Sequence, residues 1–281
     1  MDDFNIERDW PCTPTVSSYQ EYCSHIRCSD RTIFRGVSAI GWGLEPSLGR
    51  FLKESNRDAL GVEVALLDAF NKRARHALDP LVLAYLKQPD ERWHTQIHTG
   101  TMFVGRHFGL PTRCLDWSRS ADIALFFACN DKKDTDGVVW HVRLDELCEA
   151  AKLQWQSRFG KPSDVEADME CDFLARKERK WISHMKYIKT GVSRAKGQKA
   201  VVTHTGHICN DHAFELTHLG VKKTGRIAVA AHAKDGLLRE LASRGTTSES
   251  LGLTGAGKQL EAIVHVICTN VRSKLQLPPR T

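Results

Sequence analysis

Nowhere in these 281 residues does an apolar run reach the length that a bilayer-spanning helix requires, and no basic start leads into an apolar amino-terminal stretch. A helical membrane span is thereby excluded, and the expected compartment is the cytoplasm. A disulfide framework is lacking too: the nine cysteines are odd in number and scattered, which fits a reducing compartment with buried or idle thiols. Paired metal-ligand spacing is equally scarce. Cys23 and Cys28 flank His25 at a spacing that matches no zinc knuckle, and no second pair lies nearby. His204, His207, Cys209, His212 and His218 crowd one region, yet their spacing fits no closed site, and in a strand-turn-strand several of these side chains point apart. No metal is expected.

Neither sign of charge dominates. Forty Lys and Arg against 34 Asp and Glu leave a formal net charge of +6, a mild lean toward polyanionic partners. The length suffices for a substantial core without disulfides or metal. Along the chain, Ser17 to His25 reads as a short helix. The run Thr32 to Gly36, TIFRG, reads as a strand that delivers Arg35 at its end, with Gly36 behind it to let a ligand approach the backbone. Arg35 there fits a phosphate clamp, since the planar guanidinium fork suits that job, and fits equally a salt bridge at a strand end.

Asp58 to Lys87 is helical in period, with Val62, Leu66, Leu67, Phe70 and Ala74 on one face, and a second helix is expected over Arg92 to Phe103. Further strands are expected at Val138 to Val142, Lys199 to His204 and Arg226 to Ala231. A short helix capped by Asp235 and ended by Gly245 follows the last of these. Residues 144–175 give interrupted helical signals. Near the end, Leu260, Ile263, Val264, Ile267, Val271 and Leu275 fall on one helical stripe, which makes Glu261 a helix residue.

Two stretches carry chemistry. From Gly105 to Cys129, GRHFGLPTRCLDWSRSADIALFFAC, polar groups including Arg106, His107, Thr112, Arg113, Asp116, Trp117 and Ser118 run into an apolar helix pattern. Gly109 and Pro111 break any regular element, so these groups are expected on a shaped loop, as in a binding site. An ordinary capped helix is the alternative, with Asp116 or Ser118 as N-cap, Arg113 paired to Asp116 and Trp117 as packing. Between residues 176 and 199, Arg176, Lys177, Arg179, Lys180, Lys186 and Lys189 are interleaved with Trp181 and Tyr187. Cations for phosphates and aromatic faces for bases suit single-stranded nucleic acid, although a solvated basic face is the common case.

TIFRG, the WGLEPSLGRF that follows it, RHFGLPTRCLDWSRSADIALFFA, and Arg194 with Gln198 before a strand ending Thr203-His204 together resemble the FRG domain, named for its Phe-Arg-Gly motif. The resemblance spans most of residues 30–253, with residues 1–29 as a lead-in and 254–281 as a carboxy-terminal helix and tail. The chain departs from the family in Arg106, where glutamine is common, in Ser118, where threonine is common, and in Lys199-Ala200, where a glycine is often found.

FRG domains are thought to resemble ADP-ribosyltransferases. The resemblance implies an α+β fold with a split antiparallel β-sandwich and surrounding helices, and NAD as substrate. It also implies transfer of ADP-ribose to a macromolecule, RNA among the candidates, in a bacterial toxin or anti-phage defence setting with a neutralising antitoxin protein as partner. It makes Arg35, His107, Asp116 and Gln198 the catalytic set. The NAD wall then comprises Arg35, Gly36, Gly109, Thr112, Arg113, Trp117 and Ser118. In ADP-ribosyltransferases a glutamate meets the ribose 2′-hydroxyl as positive charge develops; Gln198 holds that place here and cannot neutralise charge, so the acid falls to Asp116, Glu215 or Glu261. Gln259-Leu260-Glu261 resembles the Gln-x-Glu signature of that superfamily, though on a helical stripe. A non-catalytic nucleotide- or nucleic-acid-binding module, and a nuclease using Asp116 and His107, are the alternatives.

Overall fold

In the computed structural model, residues 4–26, 31–52, 59–74, 99–159, 182–185, 197–205, 207–208, 210–254 and 258–274 are described. The basic residues Arg176, Lys177, Arg179, Lys180, Lys186 and Lys189 lie outside them. Among the described residues six strands form one sheet: β1 (Thr32–Val37), β2 (Cys114–Ser118), β3 (Gly137–Arg143), β4 (Ile182–Met185), β5 (Ala200–Thr205) and β6 (Thr224–Val229). Their order is β4-β5-β2-β1-β3-β6, and every neighbouring pair is antiparallel. The chain is thus of the α+β class.

Strand pairing is uneven, and the weak joint positions the site. β1 registers with β3 along its whole length, from Thr32 opposite Arg143 to Val37 opposite Val138, and β2 registers fully with β5. Between β1 and β2 the register consists of Phe34 opposite Ser118 alone. The sheet is therefore two three-stranded halves that part where the two chemistry-bearing strands meet.

Alternation along the strands sends apolar side chains to both faces. On one face Ile33, Leu115, Trp117, Val138, Trp140 and Val201 form a continuous core, packed with Trp10 and with Leu216 of helix α8 (His212–His218). The other face is covered in two separate blocks. Helices α6 (Ala121–Cys129) and α9 (Lys234–Ser243) pack over Phe34, Val139 and Ile227 on the β1-β3-β6 half. Helices α4 (Ala59–Ala74), α5 (Thr99–His107) and α10 (Lys258–Lys274) pack over Cys114, Ala200 and Val202 on the β2-β5 half. A cleft remains between the blocks, above the joint.

The expected helical stripe holds in α10, where Leu260, Val264, Ile267 and Val271 are buried. Helix α2 (Tyr19–His25) and the lead-in pack with the rest: Trp10, Val16 and Tyr22 are buried, and residues 11–16 run beside β6, exchanging backbone hydrogen bonds with Arg226 and Ala228. That contact covers the β6 edge. Two expectations are corrected. Asp116, Trp117 and Ser118 lie on β2, inside the sheet and not on a loop, because Cys114, Leu115 and Trp117 are buried between covered faces. His212 and His218 lie on a helix and not in a strand-turn-strand, with Asp211 accepting the Ala213 N–H as its cap.

Candidate functional site: an arginine-lined cleft at the strand joint

The cleft above the joint measures about 460 Å³. Its walls include Arg35 and Gly36 from β1, Asp116 to Ser118 from β2, Arg106 to Gly109 from the end of α5, Phe127 from α6, Glu261 from α10, and Gln198. Ser47 and Arg50 of α3 (Ser47–Leu52) complete it.

Local sequence sets each of these groups in place. Helix α5 ends in a Schellman turn: the Gly109 N–H donates to Arg106 O at 3.0 Å and the Leu110 N–H to Gly105 O at 2.9 Å. The turn needs the left-handed φ of +89° at Gly109, and it leaves Arg106 and His107 at the cleft rim. Strand alternation starts Arg35 on the side of Ile33 and Val37. The parting of β1 from β2 lets its guanidinium lie across, where Nη1 donates to the Asp116 carbonyl at 2.5 Å. Gly36 answers a packing demand: a Cβ there would fall 1.8 Å from Ala124 O, so the partner that approaches its backbone is helix α6.

Charge in the cleft is organised around Asp116. Arg106 donates from Nε to Asp116 Oδ2 at 2.9 Å and from Nη1 to Ser47 Oγ at 2.7 Å. Burial pushes the Asp116 carboxyl upward, but Arg106, His107 and Arg35 outweigh it and hold the group below the usual carboxylate range. Burial lowers the Arg35 guanidinium to about 9, with Arg106 and Arg50 adding to the effect and Asp116 opposing it. At neutral pH both groups are charged. Asp116 Oδ1 and Arg35 Nε are buried without a hydrogen-bond partner among the described residues, a pairing of acceptor and donor that a bound ligand would satisfy. Three arginines, Arg35, Arg50 and Arg106, lining one cleft suit a polyanion such as a diphosphate.

Residues 30–137 match the family model of the FRG domain. This segment is an FRG domain. No curated protein and no solved structure matches the chain.

Within the FRG domain, Phe34-Arg35-Gly36 forms the end of β1, and the SLGRF run supplies Ser47 and Arg50 to the same cleft. The sequence expectation gave those two no role in the site. Of the expected site residues, Arg35, Gly36, His107, Gly109, Asp116, Trp117, Ser118 and Gln198 come together. Several of them are tied to the scaffold. Ser118 Oγ donates to the Gln198 carbonyl at 2.8 Å and accepts the Ser120 N–H at the start of α6. The Gln198 amide donates to Leu251 O at 3.2 Å.

Trp117 is buried, and its Nε1 donates to Thr203 Oγ1 at 2.8 Å. The Thr203 hydroxyl then meets His212 Nδ1, and His212 Nε2 reaches the Arg113 carbonyl. Since Thr203 accepts from Trp117, its own proton goes to Nδ1, which places the His212 proton on Nε2. Burial lowers that imidazole to about 3, so it is neutral.

Two expected wall residues do not line the cleft. Arg113 is buried in a pair with Glu63, donating from Nε to Oε2 at 2.7 Å and from its backbone N–H to Oε1 at 3.1 Å. It therefore braces α4 against β2, and the arginine that pairs with Asp116 is Arg106. Thr112 is buried and works through Ser47, whose Oγ accepts the Thr112 N–H at 3.1 Å. Of the three candidate acids, Asp116 and Glu261 line the cleft. Glu215 lies elsewhere, held by His207 Nδ1 at 2.8 Å and Asn210 Nδ2 at 2.5 Å. Among the described residues no three His, Cys, Asp or Glu side chains converge as metal ligands; Cys209 lies outside that set.

Proposed function

We propose that the cleft takes NAD as substrate and that the protein transfers ADP-ribose from it to a macromolecular acceptor, RNA being the acceptor class. The observation that carries this reading is the gathering of Arg35, Arg50 and Arg106 in one cleft with Asp116 at the parting of β1 and β2, where Arg106 pairs with the Asp116 carboxylate and Arg35 donates to its backbone carbonyl. In this reading the guanidiniums hold the diphosphate, with Arg35 Nε finding the partner it lacks. Asp116 Oδ1 faces the positive charge that grows as the nicotinamide–ribose bond breaks, its electron pair leaving with nicotinamide. His107, at the rim, accepts the proton that the acceptor nucleophile loses on bonding to C1′. The family resemblance to ADP-ribosyltransferases supports the same assignment, and with it the toxin or defence setting.

A second reading rests on the Arg106–Asp116 ion pair. A carboxylate already engaged on one oxygen suits a module that binds a nucleotide without cleaving it. Incubation with NAD labelled in its adenylate half, together with total RNA or cell protein, separates the two. Transferase action gives label on the acceptor, abolished by Arg35→Ala; saturable NAD binding with no label transferred to either acceptor favours the binding module.

A further inference from the structure

A second cavity, again about 460 Å³, lies further along β1 on the same side of Phe34, and Phe34 lines both. Its volume falls within the range of small-molecule sites. Phe34 and His141 form an aromatic corner, with ring centroids 6.4 Å apart. Gly225, opposite His141 in the sheet, keeps that ring in place: a Cβ at 225 would fall 2.6 Å from His141 Nε2. Burial lowers the His141 imidazole to about 4, so at neutral pH it offers an uncharged flat face.

The remaining walls are polar in one sense only. Arg143, Lys223 and Arg226 line the cavity, as do Thr13 and Ser24, and among the described residues no carboxylate does. Asp145 and Glu146, the acids that balance Arg143 and Lys223, stand outside it. Thr13 Oγ1 is buried without a hydrogen-bond partner among the described residues. An uncharged aromatic corner, a buried hydroxyl and a cationic rim whose acids stand outside the cavity suit a flat heteroaromatic ring that carries a phosphate.

We propose that this cavity binds a nucleoside monophosphate, its base against Phe34 and His141 and its phosphate toward Arg143 and Lys223. Its role as the seat of the acceptor nucleotide rests on the transferase reading of the first cleft; the binding itself does not.

The test is titration calorimetry of the full chain with AMP, GMP, CMP and UMP, and with inorganic phosphate. Lys223→Glu is expected to weaken binding of the preferred nucleotide on the order of tenfold, since a hydrogen bond to a charged group is lost and repulsion is added. Gly225→Val is expected to abolish it by driving the His141 ring into the cavity. Lys223 is exposed, so its variant keeps the proposal testable if Gly225→Val fails to fold. Arg35→Ala is expected to remove NAD binding and leave nucleotide binding intact. Loss of nucleotide binding in Arg35→Ala but not in Lys223→Glu would overturn the proposal, because the nucleotide would then occupy the first cleft. So would absence of binding by all four nucleotides, or inorganic phosphate binding as tightly as they do. Nucleotide binding that survives alongside a failure to release nicotinamide would sink the transferase reading and leave this site standing.

Discussion

Removing the Arg113 guanidinium should unfold much of what holds α4 to β2 while leaving the cleft chemistry in any surviving fold unchanged. Glu63 is fully buried and Arg113 is 2% exposed, so neither charge is screened by solvent. Arg113→Met removes the side-chain donors to Glu63 and strands a carboxylate in the core with only the residue 113 N–H as its recorded donor. Breaking a buried pair from one side costs about 3–5 kcal/mol, which is a large share of the 5–15 kcal/mol typical of a folded domain. Replacing both partners with apolar residues of similar volume, Glu63→Leu with Arg113→Met, should recover most of that loss, because no charge is left unpaired. Urea denaturation of the two single variants and the double variant, read as midpoints and slopes, gives the cycle. NAD titration of the double variant completes it. Wild-type stability in Arg113→Met together with lost NAD affinity would refute the bracing role and return Arg113 to the binding wall.

Asp116→Asn should keep the fold and lower transfer by about a hundredfold or more, in the range of a lost charge-stabilising group, as measured by initial rates at saturating NAD. Because the folded Asp116 carboxyl titrates below its usual value, its pairing with Arg106 contributes fully above about pH 4 and is lost only as pH falls through the lower, folded value. An acid limb of activity near neutrality must therefore belong to another group, and one that vanishes in Asp116→Asn would contradict this. His212 and His141 stay neutral down to about 3 and about 4, while unfolded histidine takes up a proton near 6.5. Stability should thus fall as pH drops below 6.5, by about 1.4 kcal/mol per pH unit for each ring, and urea midpoints between pH 7 and 5 in wild type and His212→Leu check the slope. Gly36→Ala should destabilise by about 1–3 kcal/mol or more, since its Cβ meets the backbone of α6 and not a side chain able to move; an unchanged thermal midpoint would show that α6 can retreat.

Periodicity made the stable elements legible. The TIFRG strand and the stripe from Leu260 to Val271 follow from patterns within a few residues of each other, and so does the reading of Glu261 as a helix residue. The grouping of Arg35, Asp116 and Gln198 came from family resemblance, not from spacing, since the three stand on different strands and turns. What sequence could not show is pairing across distance. Arg113 and Asp116 are near neighbours, which made them natural partners, yet Arg113 stands just before β2 begins and finds Glu63 on a helix 50 residues earlier. Arg106 takes the place beside Asp116 because a glycine turn at Gly109 folds α5 back over β2. The parting of β1 from β2 has no signature in either strand; it depends on what packs above each half.

Nicotinamide release from NAD, followed for wild type, Arg35→Ala and Asp116→Asn with NAD binding measured in parallel, tests the cleft most directly. Wild type should release nicotinamide, Arg35→Ala should lose both binding and release, and Asp116→Asn should bind NAD and release little. Release that persists in both variants, or NAD bound by wild type with none released, would contradict the assignment of this cleft as the site where NAD is broken.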